Sequence, residues 1–355
     1  SFIGSIVDKV GDTRSDMIQP EPPQIYGTGG FFEVQRLGGL VQGGLYGKWE
    51  TDKLDINDFG YLEAPDEIAA GGWTQYEWIP KPDNSLFRKG DIELSFRDSW
   101  FYSGAQGPRG TDGKPIWEYD TGHIQSSEVN LETSLMSKAY WDMWGGIGGQ
   151  AEGSSKYETR GTPENPGPLV TEPVHVWMWA GVQSDYRRPL KLSVNFSRWF
   201  SEAEGQGYEL TLTGRWNATK TQSYTANLKY DVDFNSETHL NNYFNPESPI
   251  GRKSYLFAKL HRETLNLVLR GNLLFTRDLS LQLYFQPYMT TGDYHTPVEL
   301  ANPDSYDFQP IEGVPDFEYG DENNSDFRYA SVNTNVVLRY EYNAGNTFYF
   351  VWKQA

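Results

Sequence analysis

From Gln222 to Phe234 the chain reads Gln-Ser-Tyr-Thr-Ala-Asn-Leu-Lys-Tyr-Asp-Val-Asp-Phe, a strict two-residue alternation. Tyr224, Ala226, Leu228, Tyr230 and Val232 take one set of positions; Ser223, Thr225, Asn227, Lys229 and Asp231 take the other. Successive side chains of a strand point to opposite faces, so the segment carries one apolar face and one wet face. The pattern recurs. Leu281, Leu283 and Phe285 alternate with Ser280, Gln282, Tyr284 and Gln286, and Val332, Thr334, Val336, Leu338 and Tyr340 alternate with Ser331, Asn333, Asn335, Val337 and Arg339. Polar residues fill the second face, which therefore meets water and not another packed sheet. Such strands, with aromatic residues near their ends, are what an antiparallel transmembrane β-barrel requires.

Mean hydropathy is −0.64 and hydrophobic residues make up only 37% of the 355. Neither value argues against a barrel, because only alternate residues meet lipid. The 23 Tyr, 19 Phe and 12 Trp suit interfacial girdles of amphipathic rings. No run approaches the roughly 18 apolar residues of a spanning helix; the longest, Val174 to Val182, is strand-sized and contains His175. With no cysteine there is no disulfide framework, thiolate nucleophile or Cys-based metal site. A net charge of −18 disfavours a nucleic-acid partner, since phosphates need a basic surface.

The clearest strands run over Ile92 to Tyr102, Val129 to Leu135, Leu192 to Phe200, Tyr208 to Trp216, Tyr224 to Phe234, Leu265 to Phe275, Leu279 to Pro287 and Ala330 to Tyr342. Short turns alternate with long acidic connections over 51–72, 104–115, 152–173 and 290–327. Outer-membrane barrels place short turns on the periplasmic side and long loops outside, so every connection acquires a side. Keeping the sides consistent requires weak strands at Glu237 to Phe244 and Tyr255 to Leu260, with tight turns near Asn235 and His261. The count is then about fifteen, an odd number that implies at least one further closing strand and a larger barrel. Residues 1–30 are expected as an irregular plug or linker, and 31–355 as the barrel.

On the wet faces, Thr211, Thr213, Arg215, Asn227, Lys229, Asp231, Gln282, Gln286, Asn333 and Arg339 are the candidate lumen-lining residues. Within the acidic loop 290–327, Asp321, Glu322 and Asp326 offer hard oxygen ligands of the kind Ca²⁺ takes. They lack EF-hand spacing, and a solvated acidic loop is the default reading of them. The five histidines, His123, His175, His239, His261 and His295, are scattered without ligand spacing. Gly146-Ile-Gly148-Gly-Gln-Ala151 matches a dinucleotide fingerprint on paper, yet it has no strand–turn–helix context. Glycine there relieves crowding or permits a bend. No nucleophile elbow or phosphate loop is present, so no catalytic residue is expected.

The stretch Tyr255-Leu-Phe-Ala-Lys-Leu-His-Arg-Glu-Thr-Leu-Asn-Leu-Val-Leu-Arg, then Phe275-Thr-Arg-Asp-Leu-Ser-Leu-Gln-Leu-Tyr-Phe-Gln-Pro-Tyr and Gly292-Asp-Tyr, resembles the C-terminal barrel of the domain-of-unknown-function family 5916. Asn57-Asp-Phe-Gly-Tyr-Leu, Arg160-Gly-Thr-Pro, Ser184-Asp-Tyr-Arg-Arg-Pro-Leu and Asp326-Phe-Arg-Tyr extend the resemblance over most of the chain from Phe32. It implies a Gram-negative envelope protein whose relatives often carry an N-terminal family 9 carbohydrate-binding module, which this sequence lacks. It transfers no activity.

Two functions are therefore expected of such a chain. The first is an integral outer-membrane barrel, in contact with outer-membrane lipids, acting as a conduit or as the scaffold of a surface complex with a lipoprotein or other envelope partner. The second is a carbohydrate-binding or polysaccharide-processing surface protein, with Trp177, Trp179 and Trp199 stacking on a glycan, although girdle or lumen packing accounts for these rings equally well.

Overall fold

The structure, a computed structural model, describes residues 2–10, 26–52, 54, 66–80, 86–107, 109, 113–160, 167–245, 248, 250, 253–311 and 326–354. Its strands are β1 (Phe2–Val10), β2 (Tyr26–Arg36), β3 (Val41–Glu50), β4 (Glu67–Trp78), β5 (Phe87–Phe101), β6 (Ala105–Gln106), β7 (Glu118–Tyr119), β8 (Ile124–Ser137), β9 (Asp142–Gln150) and β10 (Gly153–Ser155). They continue as β11 (Val170–Glu172), β12 (His175–Gln183), β13 (Leu190–Ser201), β14 (Gln206–Thr219), β15 (Gln222–Phe244), β16 (Lys253–Leu274), β17 (Leu279–Leu300), β18 (Phe308–Pro310), β19 (Phe327–Asn343) and β20 (Asn346–Gln354). No helix occurs among the described residues.

The fold is all-β and antiparallel. One sheet takes the order β1-β2-β3-β4-β5-β8-β9-β12-β13-β14-β15-β16-β17-β19-β20, with β18 added to β17, so fifteen strands form an unbroken meander. No described pairing joins β1 to β20. The remaining pairs, β6 with β7 and β10 with β11, lie in connections at one end of the sheet.

Two expected chain reversals are absent. Gln222 to Phe244 is one strand of 23 residues and Lys253 to Leu274 one of 22. Asn235 adopts φ 53° where the β15–β16 register shifts between Asp233 and Ser236. It makes a bulge, and the strand continues beyond it. His261 sits mid-strand opposite Asp293. The bulge displaces the alternation by a residue, which in sequence imitates the end of one strand and the start of another. The parity gap closes through the length of β15, β16 and β17, with no additional pair of strands.

Register assigns every wall residue to a face. Thr211, Lys229 and Asn266 lie side by side on three strands; Leu212, Leu228 and Leu267 lie on the opposite face. The second face carries Leu192, Val194, Phe196, Leu212, Leu265, Leu269, Leu283, Phe285 and Met289, all exposed. Aromatic pairs bound this belt. Tyr208 stands 6.1 Å from Tyr230 and 6.3 Å from Phe234, which is 4.7 Å from His261. At the other edge Trp216 meets Tyr224 at 5.6 Å. Tyr208 and Trp216 are eight residues apart on β14, about 26 Å of strand at roughly 3.3 Å per residue.

The polar face is concave. Lys156, three residues from Thr159, pairs with Asp66 beside β4, while the Thr159 carbonyl accepts from Asn242 Nδ2 on β15 at 2.8 Å. Seven strand steps separate β4 from β15, about 34 Å along the sheet at roughly 4.8 Å each. Three residues of chain span at most about 11 Å. Only a sheet curled toward the 152–173 connection satisfies both contacts.

That connection belongs to a cap holding both of the buried apolar clusters found among the described residues. One contains Val170, Ile250, Tyr255, Phe257 and Leu300; the other contains Phe101, Trp117, Tyr119 and Leu169. Val170 bridges Ser305, and Ser154 Oγ donates to Asp304 Oδ1 at 3.1 Å, tying the β10–β11 hairpin to the loop after β17. Asp66, 1% exposed, accepts from the Ser103 amide at 2.7 Å and pairs with Lys156. The wall is thus solvated on its concave face, and compact packing is confined to one mouth.

Candidate functional site: an aromatic and acidic pocket beneath the cap

The ten residues expected to line the lumen share the concave face, and most of them bond to polar neighbours along it. Lys229 pairs with Glu209 at 2.8 Å, and Thr211 Oγ1 donates to Glu209 Oε1 at 3.1 Å. Asn227 Nδ2 donates to Thr213 Oγ1 at 2.8 Å and Gln286 Nε2 to Asn266 Oδ1 at 3.0 Å. Arg339 pairs with Glu341 at 2.7 Å. Asp231 lies 3.9 Å from Arg262, Arg215 stands opposite Thr225, and Gln282 and Asn333 face Val337 and Gln286 across the β17–β19 pair. These residues form a continuous hydrophilic wall and do not converge on one point.

A convergence does occur higher up, where β12, β13, β15 and β16 meet the cap. The pocket there has a volume of about 400 Å³ and is walled by Trp177, Trp199, Phe257, Tyr306 and Phe308, with Glu158, Glu172, Glu237 and His175 among them. Glycine makes room for the indoles. Trp177 lies opposite Gly148, Trp179 opposite Gly146, and Trp144 opposite Gly181; Trp199 lies opposite Gly207. A Cβ added at any of these glycines would fall within van der Waals contact of the indole facing it. The Gly-x-Gly of β9 is therefore a pad beneath two tryptophans.

Both pocket indoles spend their N–H groups on the wall. Trp177 Nε1 donates to Asn130 Oδ1 at 3.0 Å and Trp199 Nε1 to Asp233 Oδ1 at 3.2 Å. Both rings are thereby held in place where they line the pocket. Opposite them the Asn235 bulge turns Ser236 and Glu237 into the pocket. Ser236 Oγ and Glu237 Oε2 are buried and make no hydrogen bond among the described residues.

These groups lie past Phe234, beyond the apolar belt. Burial pushes the Glu237 carboxyl up to about 7, with Lys259 pulling it down and Glu204 adding to the rise. Lys259, opposite Glu237 on β16, is itself held by Glu204 at 2.6 Å. Glu158 is likewise raised, first by burial and then by Glu172; Glu172 accepts from Gln150 Nε2 at 2.9 Å. No Lys or Arg lines the pocket among the described residues.

The chain belongs to the DUF5916 family. The family description, "Domain of unknown function (DUF5916)", matches residues 8–355, and no curated protein matches this DUF5916 chain. Among solved structures it is similar to OmpT (in-vitro folded), an outer membrane protein of Vibrio cholerae, at 6% identity, covering 98% of this chain and 95% of that chain with a TM-score of 0.32.

Of the proposed Ca²⁺ ligands, Asp321 and Glu322 lie outside the described residues. Asp326 Oδ1 accepts from the Tyr294 amide at 2.6 Å. No cluster of metal-ligating side chains occurs among the described residues. His123 contacts Ser154 and Asp304, His239 contacts Asn242, His261 contacts Glu263, and His295 contacts Asn235, each as a separate local bond. Sequence reasoning singled out the two pocket tryptophans. It missed Glu158, Glu172, Glu237, Phe257, Tyr306 and Phe308, whose convergence depends on a bulge and on loop packing that leave no periodic signal.

Proposed function

We propose that this DUF5916 chain is the wall of an integral barrel in the outer membrane of a Gram-negative bacterium, and that its hydrophilic concave face is a solute conduit restricted by the cap. The observation that carries this reading is the continuous apolar belt on the convex face, bounded by aromatic rims. A patch of such extent would drive association in water. Against lipid each leucine instead leaves water, at about 25 cal/mol per Å² of apolar area. The belt's length along β14 matches the 9–11 tilted residues that cross a bilayer.

The cap and the extended β15–β17 strands stand at the end with the long connections, the extracellular side in a barrel of this kind. Conductance of the full-length protein in planar lipid bilayers tests the reading. Discrete conductance steps, altered when the β10–β11 connection is shortened, are expected. Correctly inserted protein that never conducts would refute the conduit and leave the wall as a scaffold for an envelope partner.

A further inference from the structure

We propose that the pocket beneath the cap is a binding site for an aliphatic di- or polyamine. This assignment goes beyond the conduit, since the site stands whether or not the lumen conducts.

Three features converge on that chemistry. First, Trp177 and Trp199 line the pocket while their N–H groups are engaged elsewhere. An indole face with no free polar edge attracts an ammonium group or its attached methylenes, through the negative face of the ring. Second, the pocket holds three carboxylates and no Lys or Arg among the described residues. Lys259, opposite Glu237, is committed to Glu204, and Arg160 acts on Glu158 from outside the lining. Half-buried carboxylates in excess of their neighbouring cations are costly, and a ligand bringing more than one positive charge relieves that cost. Third, Ser236 Oγ and Glu237 Oε2 are buried acceptors without donors. An ammonium group has three N–H donors and no acceptor, so it complements them directly.

A neutral sugar offers hydroxyl donors and apolar ring faces, but it leaves the carboxylates uncompensated. Charge thus favours the amine. Asp304 and Asp307, in the loop after β17 that also gives Tyr306 to the pocket, add negative charge at the mouth and raise the local concentration of such cations. The pocket's 400 Å³ admits a small flexible chain and falls within the range of small-molecule sites.

The test is calorimetric titration of the full chain, refolded in detergent micelles, with spermidine and separately with maltose, at about 0.15 M salt to screen the loops. Saturable spermidine binding with unit stoichiometry is expected, together with a shift in indole emission and no heat from maltose. Glu237→Gln, which keeps the side-chain shape, should weaken spermidine at least tenfold. Trp199→Leu should weaken it comparably and reduce the emission shift. Equal affinity in wild type and Glu237→Gln would overturn the proposal, because it would place the amine on the acidic loops. Saturable maltose binding without spermidine binding would overturn it in favour of a glycan site. If Trp199→Leu fails to refold, the Glu237→Gln comparison decides alone. Failure of conductance would leave every arm of this experiment interpretable.

Discussion

Gly181 is the position where packing on the concave face can be tested most directly. A Cβ there would lie 2.6 Å from Asn195 Oδ1 and nearer still to two carbons of the Trp144 ring, with no backbone atom among its three closest neighbours. Gly181→Ala therefore meets side chains alone. Introducing a methyl into such a contact costs about 1–3 kcal/mol. Trp144→Ala removes the ring that the methyl would strike and leaves only the tip of the Asn195 side chain, so the same Gly181→Ala change made in that background should cost about 1–2 kcal/mol less. The coupling energy between the two substitutions is then on the order of 1–2 kcal/mol, well above the roughly 0.3–0.5 kcal/mol scatter seen for independent sites. Equilibrium unfolding in urea, followed by far-UV circular dichroism on protein inserted in lipid vesicles, gives the four stabilities of the cycle. Additive costs would refute the idea that glycines in β9 and β12 serve as seats for indoles.

Other expectations are simpler to state. Leu212 lies midway between Tyr208 and Trp216 on the convex face, so Leu212→Arg should cost about 2–4 kcal/mol in vesicles and far less in a short-chain detergent; urea titration in both media checks this. Lys156→Met strands the buried Asp66 carboxylate, a loss of about 3–5 kcal/mol to the cap, read as faster proteolysis of 152–173 with the wall intact. Glu237 has its folded-state pKa raised to about 7, so its contribution to cap stability is present in full below about 4.5 and is lost as pH rises through 7. Glu158 shifts in the same direction, against the pull of Arg160; Glu172 and His175 also face the site, and the Lys259–Glu204 pair stands beside Glu237 outside the lining. The protection of β10 and β11 against hydrogen exchange, corrected for the intrinsic base catalysis of exchange, should fall between pH 5 and pH 8, with a smaller change in Glu237→Gln; a pH-independent protection factor would refute the assignment.

The wall was legible in the sequence because a barrel strand repeats one rule at every second residue. Asn227, Lys229 and Asp231 fell on one face with Thr211 and Thr213 by parity alone, before any pairing was known. The rule fails where a bulge inserts a residue, which is why Asn235 and His261 read as turns. The pocket was less legible for a related reason. Glu158 and Glu172 come from a connection, Glu237 from beyond a bulge, and Tyr306 from the loop after β17. Nothing in their spacing brings them together; the curl of the sheet does. Trp177 and Trp179 were visible as rings able to stack on a glycan, and the β9 glycines as relief of crowding, yet only the register shows that the one group seats the other.

Those glycines also act as a lock on alignment. A shift of β12 against β9 by one residue would turn Trp177 and Trp179 to the lipid side. A shift by two in one direction would set Trp179 against Trp144, and in the other would set Trp177 against Gln150. A wall built chiefly from alternating leucines and threonines tolerates such slips, since each shifted pair resembles the last. Four bulky rings, each fitting one vacant position on its neighbour, make the correct alignment of β9, β12, β13 and β14 a matter of keyed shape. Phe327 of β19 sits on Gly292 of β17 in the same way, so errors in assembly should concentrate where no ring meets a glycine, the β19–β20 pair among them.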